Sequence, residues 1–487
     1  DQEGIEKLCD EIRNEGIPCD MIALGPCWMG LKREDYNLEF DRRRFPDPKG
    51  FSKRLAKKGF KVKGWLHPYV PVESKMYKEA KERGFLLKKP DGSIYNEYLA
   101  WPFPEEDAKT DEKPSHLRPR EELVRENFWR RGIVEGKVME DIAVNHLIDV
   151  ERSYKWRWKH RKEFYALGGF IDFTNPKAVK WWQEKVKKAL EEGMSTFMTD
   201  FGEETPIDAI YFNGKTGKEL YNYYSTLYQM ATFEAFKETG KDAFVRARSG
   251  YAGMQRYPVC WPGDPNSTFD DMAYVLRAGL SIGLSGVPFW MNFVGPFGGK
   301  PSNELFIRWS QCAMFASHCD SCFTSPRLYE RKILEIFKKY AKLRYRLIPY
   351  IYSYAYVASK TGLPLMRAMV LEFQDDPNTH NIEDQYVFGE AFLVAPVYSP
   401  DNKRTVYLPK GVWFDYWTGR EYRGPTTLYL EPPLEVLPLY VRGDSIIPMG
   451  PEMNYVGEKP FNPITLDIWL CSEAEFTLYD DDEIVRC

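Results

Sequence analysis

The chain has 487 residues, more than one ordinary domain holds and enough for a barrel with a smaller partner. Its net charge of −4 gives no general pull toward nucleic acid, and with no run of 18 apolar residues nothing is expected to span a membrane. Nine scattered cysteines, an odd number, fit reduced thiols and a cytoplasmic home.

No signal peptide is visible, but the chain opens on Asp1 rather than Met, so its natural start is expected to lie upstream. Aromatic residues make up 15%, a supply that a carbohydrate site or a large core could use. Residues 1–17 read as a helix, 20–27 as a strand that ends before Trp28, and 50–58 as the next helix. A second strand, 60–66, closes on His67-Pro68, where proline ends the pairing. Residues 76–84 are helical, 169–173 strand-like, and 177–192 a helix with Pro176 at its start and Gly193 past its end. Further strands fit 195–200, 244–248, 258–262, 280–290 and 312–317. Together these give about eight strands with helices between them, the count of a (β/α)8 TIM barrel.

Residues 103–167 break this rhythm with dense charge, acidic at first and then basic and aromatic. They read either as a solvated helical insertion or as a lid over the barrel mouth, with Arg157, Trp158 and His160 in reach of a substrate. A long helix over 329–360 ends the catalytic barrel domain, placed at 1–362. From 363 to 450 short β runs separated by turns predict a C-terminal β-sandwich, and 451–487 reads as the start of a truncated distal β domain. Cys319-x-x-Cys322 beside His318 could form part of a zinc site. A structural site needs four ligands, and no second CxxC or HxxH pair is present, so no metal is expected.

The barrel is organised around Phe197-Met198-Thr199-Asp200-Phe201-Gly202-Glu203, an apolar run that ends on carboxylates at a turn. Catalytic side chains of such barrels stand at the carboxyl ends of strands, where Asp200 falls. An isolated acidic pair there could equally cap the next helix. A protein-kinase reading of D-F-G fails, because no glycine-rich loop, V-A-I-K or H-R-D precedes it. Asp264 follows Trp261-Pro262-Gly263 at the end of a later strand, 64 residues on (264 − 200), about two βα units. Two carboxylates facing each other across a barrel mouth meet the requirement of a glycosidase, one attacking the anomeric carbon and the other protonating the leaving oxygen.

The ordered set TDFGE (199–203), RARSGYAGMQRYPVCWPGD (246–264), GLSGVPFW (283–290) and TSPR (324–327) resembles glycoside hydrolase family 31. IDFTNP (171–176), FPDPKGF (45–51) and YLPKGVWFDYWTG (407–419) match as well. The resemblance implies a retaining exo-α-glycosidase with Asp200 as nucleophile and Asp264 as general acid/base. It implies that Arg248 binds sugar hydroxyls, and that Trp28, Trp65, Trp261 and Trp290 pack on a sugar ring. DFGE resembles the α-xylosidase branch more than the α-glucosidase form. Neither a metal nor an organic cofactor is implied.

The chain also departs from the family. Gly25-Pro26 stand where an Asp is usual, Met198 where a Lys is common, Asn292-Phe293 where His-Asp is found, and Asp320-Ser321-Cys322-Phe323 where Arg-x-His-Gly is found. Losing a buried polar partner costs roughly 1–3 kcal/mol, so the pocket is either re-lined, with Asn292 and Asp320 supplying new contacts, or weakened. The N-terminal β-sandwich usual in the family is not in the sequence, and a fragment is expected. The expected partner is an oligosaccharide or glycoside, favoured as a terminal α-xyloside or α-glucoside. The alternatives are an α-galactoside, amino-sugar or anionic-sugar hydrolase, or a weakened carbohydrate-binding relative. No nucleic acid or membrane partner is expected, and homo-oligomer formation stays open.

Overall fold

The computed structural model describes residues 1–30, 32–100, 165–240, 244–257, 259–296, 301–321, 325–481 and 483–486. The lid expectation, with Arg157, Trp158 and His160, and the cysteine at 322 lie outside the described residues.

In chain order come β1 (Met21–Ala23), β2 (Lys61–Leu66), β3 (Tyr69–Pro71), β4 (Asn96–Ala100), β5 (Tyr165–Phe170), β6 (Thr196–Thr199), β7 (Val245–Ala247), β8 (Met291–Phe293) and β9 (His318–Asp320). The parallel wall of a TIM barrel runs β1-β2-β6-β7. It continues through single parallel bridges from Ala247 to Cys260 and from Cys260 to Trp290, and then through the β8-β9 pair. All four residues of β6 are buried, as expected for a parallel strand covered on both faces.

Helices between the strands carry the punctuation read from the sequence. Asn175 caps Pro176–Glu191 by accepting from the Lys177 N–H at 3.0 Å, and that helix buries Trp181, Trp182, Val186 and Leu190 against the sheet. Gly193 then turns at φ 124°, in front of Ser52, and delivers the chain into β6.

Four expectations change. The strand at 169–173 is not a barrel strand: β2 pairs directly with β6, and β5 joins β3 and β4 in an antiparallel side sheet. Residues 280–284 finish the helix Phe269–Leu284, whose N-cap Thr268 accepts from the Asp271 N–H, and the strand starts at Met291. Likewise 312–313 end the helix Asn303–Ala313, and β9 begins at His318. In both places a short apolar run reads equally as buried helix or strand. The long helix is two, Arg331–Arg346 and Ile348–Thr361, because Pro349 cannot donate to the preceding turn.

The C-terminal part has β10 (Met366–Ala368), β11 (Tyr386–Phe388), β12 (Phe392–Val394), β13 (Arg404–Asp415), β14 (Glu421–Leu430) and β15 (Leu439–Arg442) in one antiparallel sheet, order β10-β11-β12-β15-β13-β14. β16 (Ser445–Met449) pairs with β17 (Thr465–Trp469), and β18 (Thr477–Asp480) with β19 (Glu483–Arg486). These strands form the β-sandwich domain behind the barrel. Residues 465–469, expected to open a further domain, thus share a hairpin with 445–449. Barrel and sandwich share one core, in which Trp309, Phe315 and Tyr350 meet Phe388, Phe392 and Leu439. Arg308 ties them further, donating to the carbonyls of Pro432, Pro433 and Val436. Among the described residues no helix is long and apolar enough to cross a membrane.

Candidate active site

Asp200 follows β6 directly, and its N–H still donates to the Leu66 carbonyl at 2.9 Å, so the carboxylate stands at the rim of the barrel wall. The next two residues turn sharply, Phe201 at φ 59° and Gly202 at φ 103°. A left-handed phenylalanine is an uncommon, strained conformation, and here several contacts hold it. The Tyr69 hydroxyl accepts from the N–H groups of Gly202 (3.0 Å) and Glu204 (2.9 Å), and Ser249 Oγ donates to the Phe201 carbonyl at 2.6 Å. The Arg248 guanidinium lies 3.9 Å over the Phe201 ring.

Three donors fix the Asp200 carboxylate. Oδ1 accepts from the Phe201 N–H at 2.9 Å and pairs with Arg248 Nη1 at 2.9 Å; Oδ2 accepts from the Trp65 indole at 2.9 Å. Arg248 also pairs with Glu203. Burial pushes Asp200 up to about 6; Asp264 and Glu203 add to the rise, while Arg248 and the Trp65 hydrogen bond oppose it. Burial also works to discharge Arg248, but the carboxylates of Asp200, Glu203, Asp264 and Glu204 outweigh it and keep the guanidinium ionised. Asp264 is exposed, on the loop after the Cys260 position, and its charge acts on both Asp200 and Arg248. The arrangement is an ionisable carboxylate held at both oxygens, with a second, solvent-facing carboxylate within electrostatic reach.

The other expected residues are distributed differently. Trp65 is in the site. Trp261 is 2% exposed, on the Asp264 loop, packed edge-on to Phe293 at 5.9 Å. Trp28 is wholly buried, where its indole donates to the Trp65 carbonyl at 2.9 Å and its ring meets Phe40 and Phe197, so it braces Trp65 and offers no face to a sugar. Trp290 packs on the outside of the wall, so close to Gly279 that an added Cβ there would lie 2.6 Å from the indole. Asn292 likewise faces a helix, accepting from the Trp309 indole at 3.1 Å and reaching Cys312 Sγ at 3.4 Å. Buried parallel strands are apolar on both faces, which is why sequence alone put these two on the wrong side.

Asp320 is in the barrel interior, where one carboxylate oxygen takes both Lys63 and Arg246, and these cations hold it well below the usual carboxylate range against the opposing effect of burial. His318 is partly buried and kept neutral, chiefly by desolvation and then by Arg246. Burial pushes the Cys319 thiol up. Among the described residues no cluster of three or more His, Cys, Asp or Glu could hold a metal.

Lys63, Arg246 and Tyr69 went unnoticed in the sequence. The available signal was period two: Lys63, Trp65, His67 and Tyr69 share one side of an otherwise buried run, as do Arg246 and Arg248.

Residues 1–354 match the Glycosyl hydrolases family 31 TIM-barrel domain, and 362–447 the Glycosyl hydrolase family 31 C-terminal domain. The chain is 30% identical over 468 residues to an alpha-xylosidase of Emericella nidulans, covering 93% of this chain and 51% of the relative. With alpha-xylosidase XylQ of Lactiplantibacillus pentosus it shares 32% identity over 439 residues, 88% of this chain and 49% of the relative. The structure of a Flavobacterium johnsoniae GH31 dextranase complexed with glucose superposes with a TM-score of 0.79 at 26% identity, covering 99% of this chain and 55% of that one. The chain therefore spans about half the length of the curated relatives it matches. On its barrel and its C-terminal domain alike, the chain belongs to glycosyl hydrolase family 31.

Proposed function

We propose that this chain carries the catalytic barrel of a retaining exo-acting α-glycosidase. The observation that carries the reading is the Asp200 carboxylate, fixed at both oxygens and close enough to Asp264 for their charges to interact. With its proton lost above about 6, Asp200 is ionised at neutral pH and can attack the anomeric carbon. As the C1–Oδ ester bond forms, the bond from C1 to the leaving oxygen breaks, and Asp264 gives that oxygen its proton. Water then attacks C1, Asp264 takes the water's proton, and Asp200 leaves as carboxylate, so two inversions retain the α configuration. Asp200 and Glu203 share a single guanidinium, an excess of negative charge that favours the oxocarbenium-like transition state.

The favoured substrate is a terminal non-reducing α-xyloside or α-glucoside. Relatives named alpha-xylosidase and alpha-glucosidase 2 support it, as does the DFGE turn. The barrel domain is placed at 1–362, a limit that the left-handed C-cap Gly362 supports, and the β16-β17 hairpin puts the expected 450/451 limit inside one C-terminal β unit. Seven described cysteines are unpaired, which supports a reducing compartment.

A panel of aryl α-glycosides tests the reading. Hydrolysis should be fastest on the xyloside or glucoside, Asp200→Ala should lose on the order of 10⁴-fold in kcat, and a fluorinated glycoside should label Asp200. Equal rates for wild type and Asp200→Ala overturn it. A xyloside and a glucoside at the bottom of the ranking remove the substrate and leave the mechanism.

A further inference from the structure

Inward-facing side chains of β2 and β7 alternate in two layers. Trp65 and Arg248 form the upper layer and contact opposite oxygens of Asp200. Two residues earlier on each segment, Lys63 and Arg246 form the layer beneath. β6, which carries the nucleophile, lies between β2 and β7 in the sheet. Asp320 reaches across from β9 and takes both cations on a single oxygen, joining the two neighbours of the nucleophile strand. Lys63 is 3% exposed and Arg246 1%, so little water screens the link.

We propose that Asp320 is a positioning residue for the reaction: by tying β2 to β7 beneath β6, it keeps Trp65 and Arg248 in hydrogen-bonding place on the two oxygens of Asp200. It touches no substrate. A loosened link lets the two holders part, and an in-line attack is sensitive to misplacement of about 1 Å, roughly 100-fold in rate. This rests on Asp200 being the nucleophile.

The test is Asp320→Asn, with kcat, KM and the acid limb of kcat/KM measured per folded molecule. We expect kcat to fall about 10–100-fold with KM nearly unchanged, and the acid limb to move upward, because Asp200 loses the two contacts that lower its pKa. A bare charge effect has the opposite sign, since removing a negative group beneath Asp200 moves the limb downward. If Asp320→Asn does not fold, Lys63→Met cuts one arm and leaves the Arg246–Asp320 pair; it should lower kcat and spare KM. Unchanged kcat in the folded variant, or a limb that moves down, overturns the proposal. Wild-type activity in Asp200→Ala would instead sink the nucleophile assignment, so the two failures are distinguishable.

Discussion

Asp200 and Asp320 are both acids of the barrel interior, and the structure moves them in opposite directions. Asp200 shares one guanidinium with Glu203 and lies near Asp264, so burial prevails and its pKa rises to about 6. Asp320 pairs with two cations and stays ionised far below the usual range. Burial alone does not set the direction; the number of cations per carboxylate does. The upper acid gains a poise suited to chemistry, while the lower one links strands.

The sharpest way to break this comparison is to neutralise each acid in turn. Asp320→Asn strands two buried cations and should cost about 3–5 kcal/mol, seen as a lower denaturant midpoint. Asp200→Asn should raise that midpoint at pH 7, because the wild-type protein keeps an ionised carboxylate that burial disfavours. Shifts of the same sign would mean the two layers are not electrically distinct.

Next in size is the pH dependence. The folded state holds the Asp200 proton more tightly than the unfolded chain does. That contribution, about 3 kcal/mol, is therefore complete below the ordinary value of 3.8 and is lost as pH rises through about 6. Asp320 runs the other way: its contribution is present above the ordinary value and lost as pH falls toward its depressed folded value. Unfolding titrations from pH 4 to 8 should show stability falling more steeply in the wild type than in Asp200→Asn.

The smallest effect is expected from Trp65→Phe, which removes the donor to Asp200 Oδ2 and little volume. A loss of about 1–2 kcal/mol in transition-state stabilisation is expected, read as about a five- to thirtyfold drop in kcat/KM. The acid limb should also rise, since that hydrogen bond lowers the Asp200 pKa.

Much of this was legible in the residues. Asp200 at a strand end, Arg248, the Asp264 loop and the change from barrel to β-sandwich all follow local patterns of turns and periods. What escaped depends on which face of a strand looks inward. Trp290 and Asn292 sit in a stretch buried on both sides, so nothing local separates the helix face from the interior. The Asp320 link joins residues 257 and 74 positions apart in the chain, and a lone acid gives no sign of such partners. The helix ends at 284 and 313 were read as strand because short apolar runs carry no period.

The side sheet has a practical consequence. β4 and β5 pair with Ala100 directly opposite Tyr165, so the two ends flanking residues 101–164 are held side by side. Residues 101–164 can therefore be excised, exchanged or replaced by a short hairpin turn without altering the distance the backbone must bridge. That makes this junction the natural place for grafting, in an engineered enzyme, a segment chosen to change what reaches the barrel.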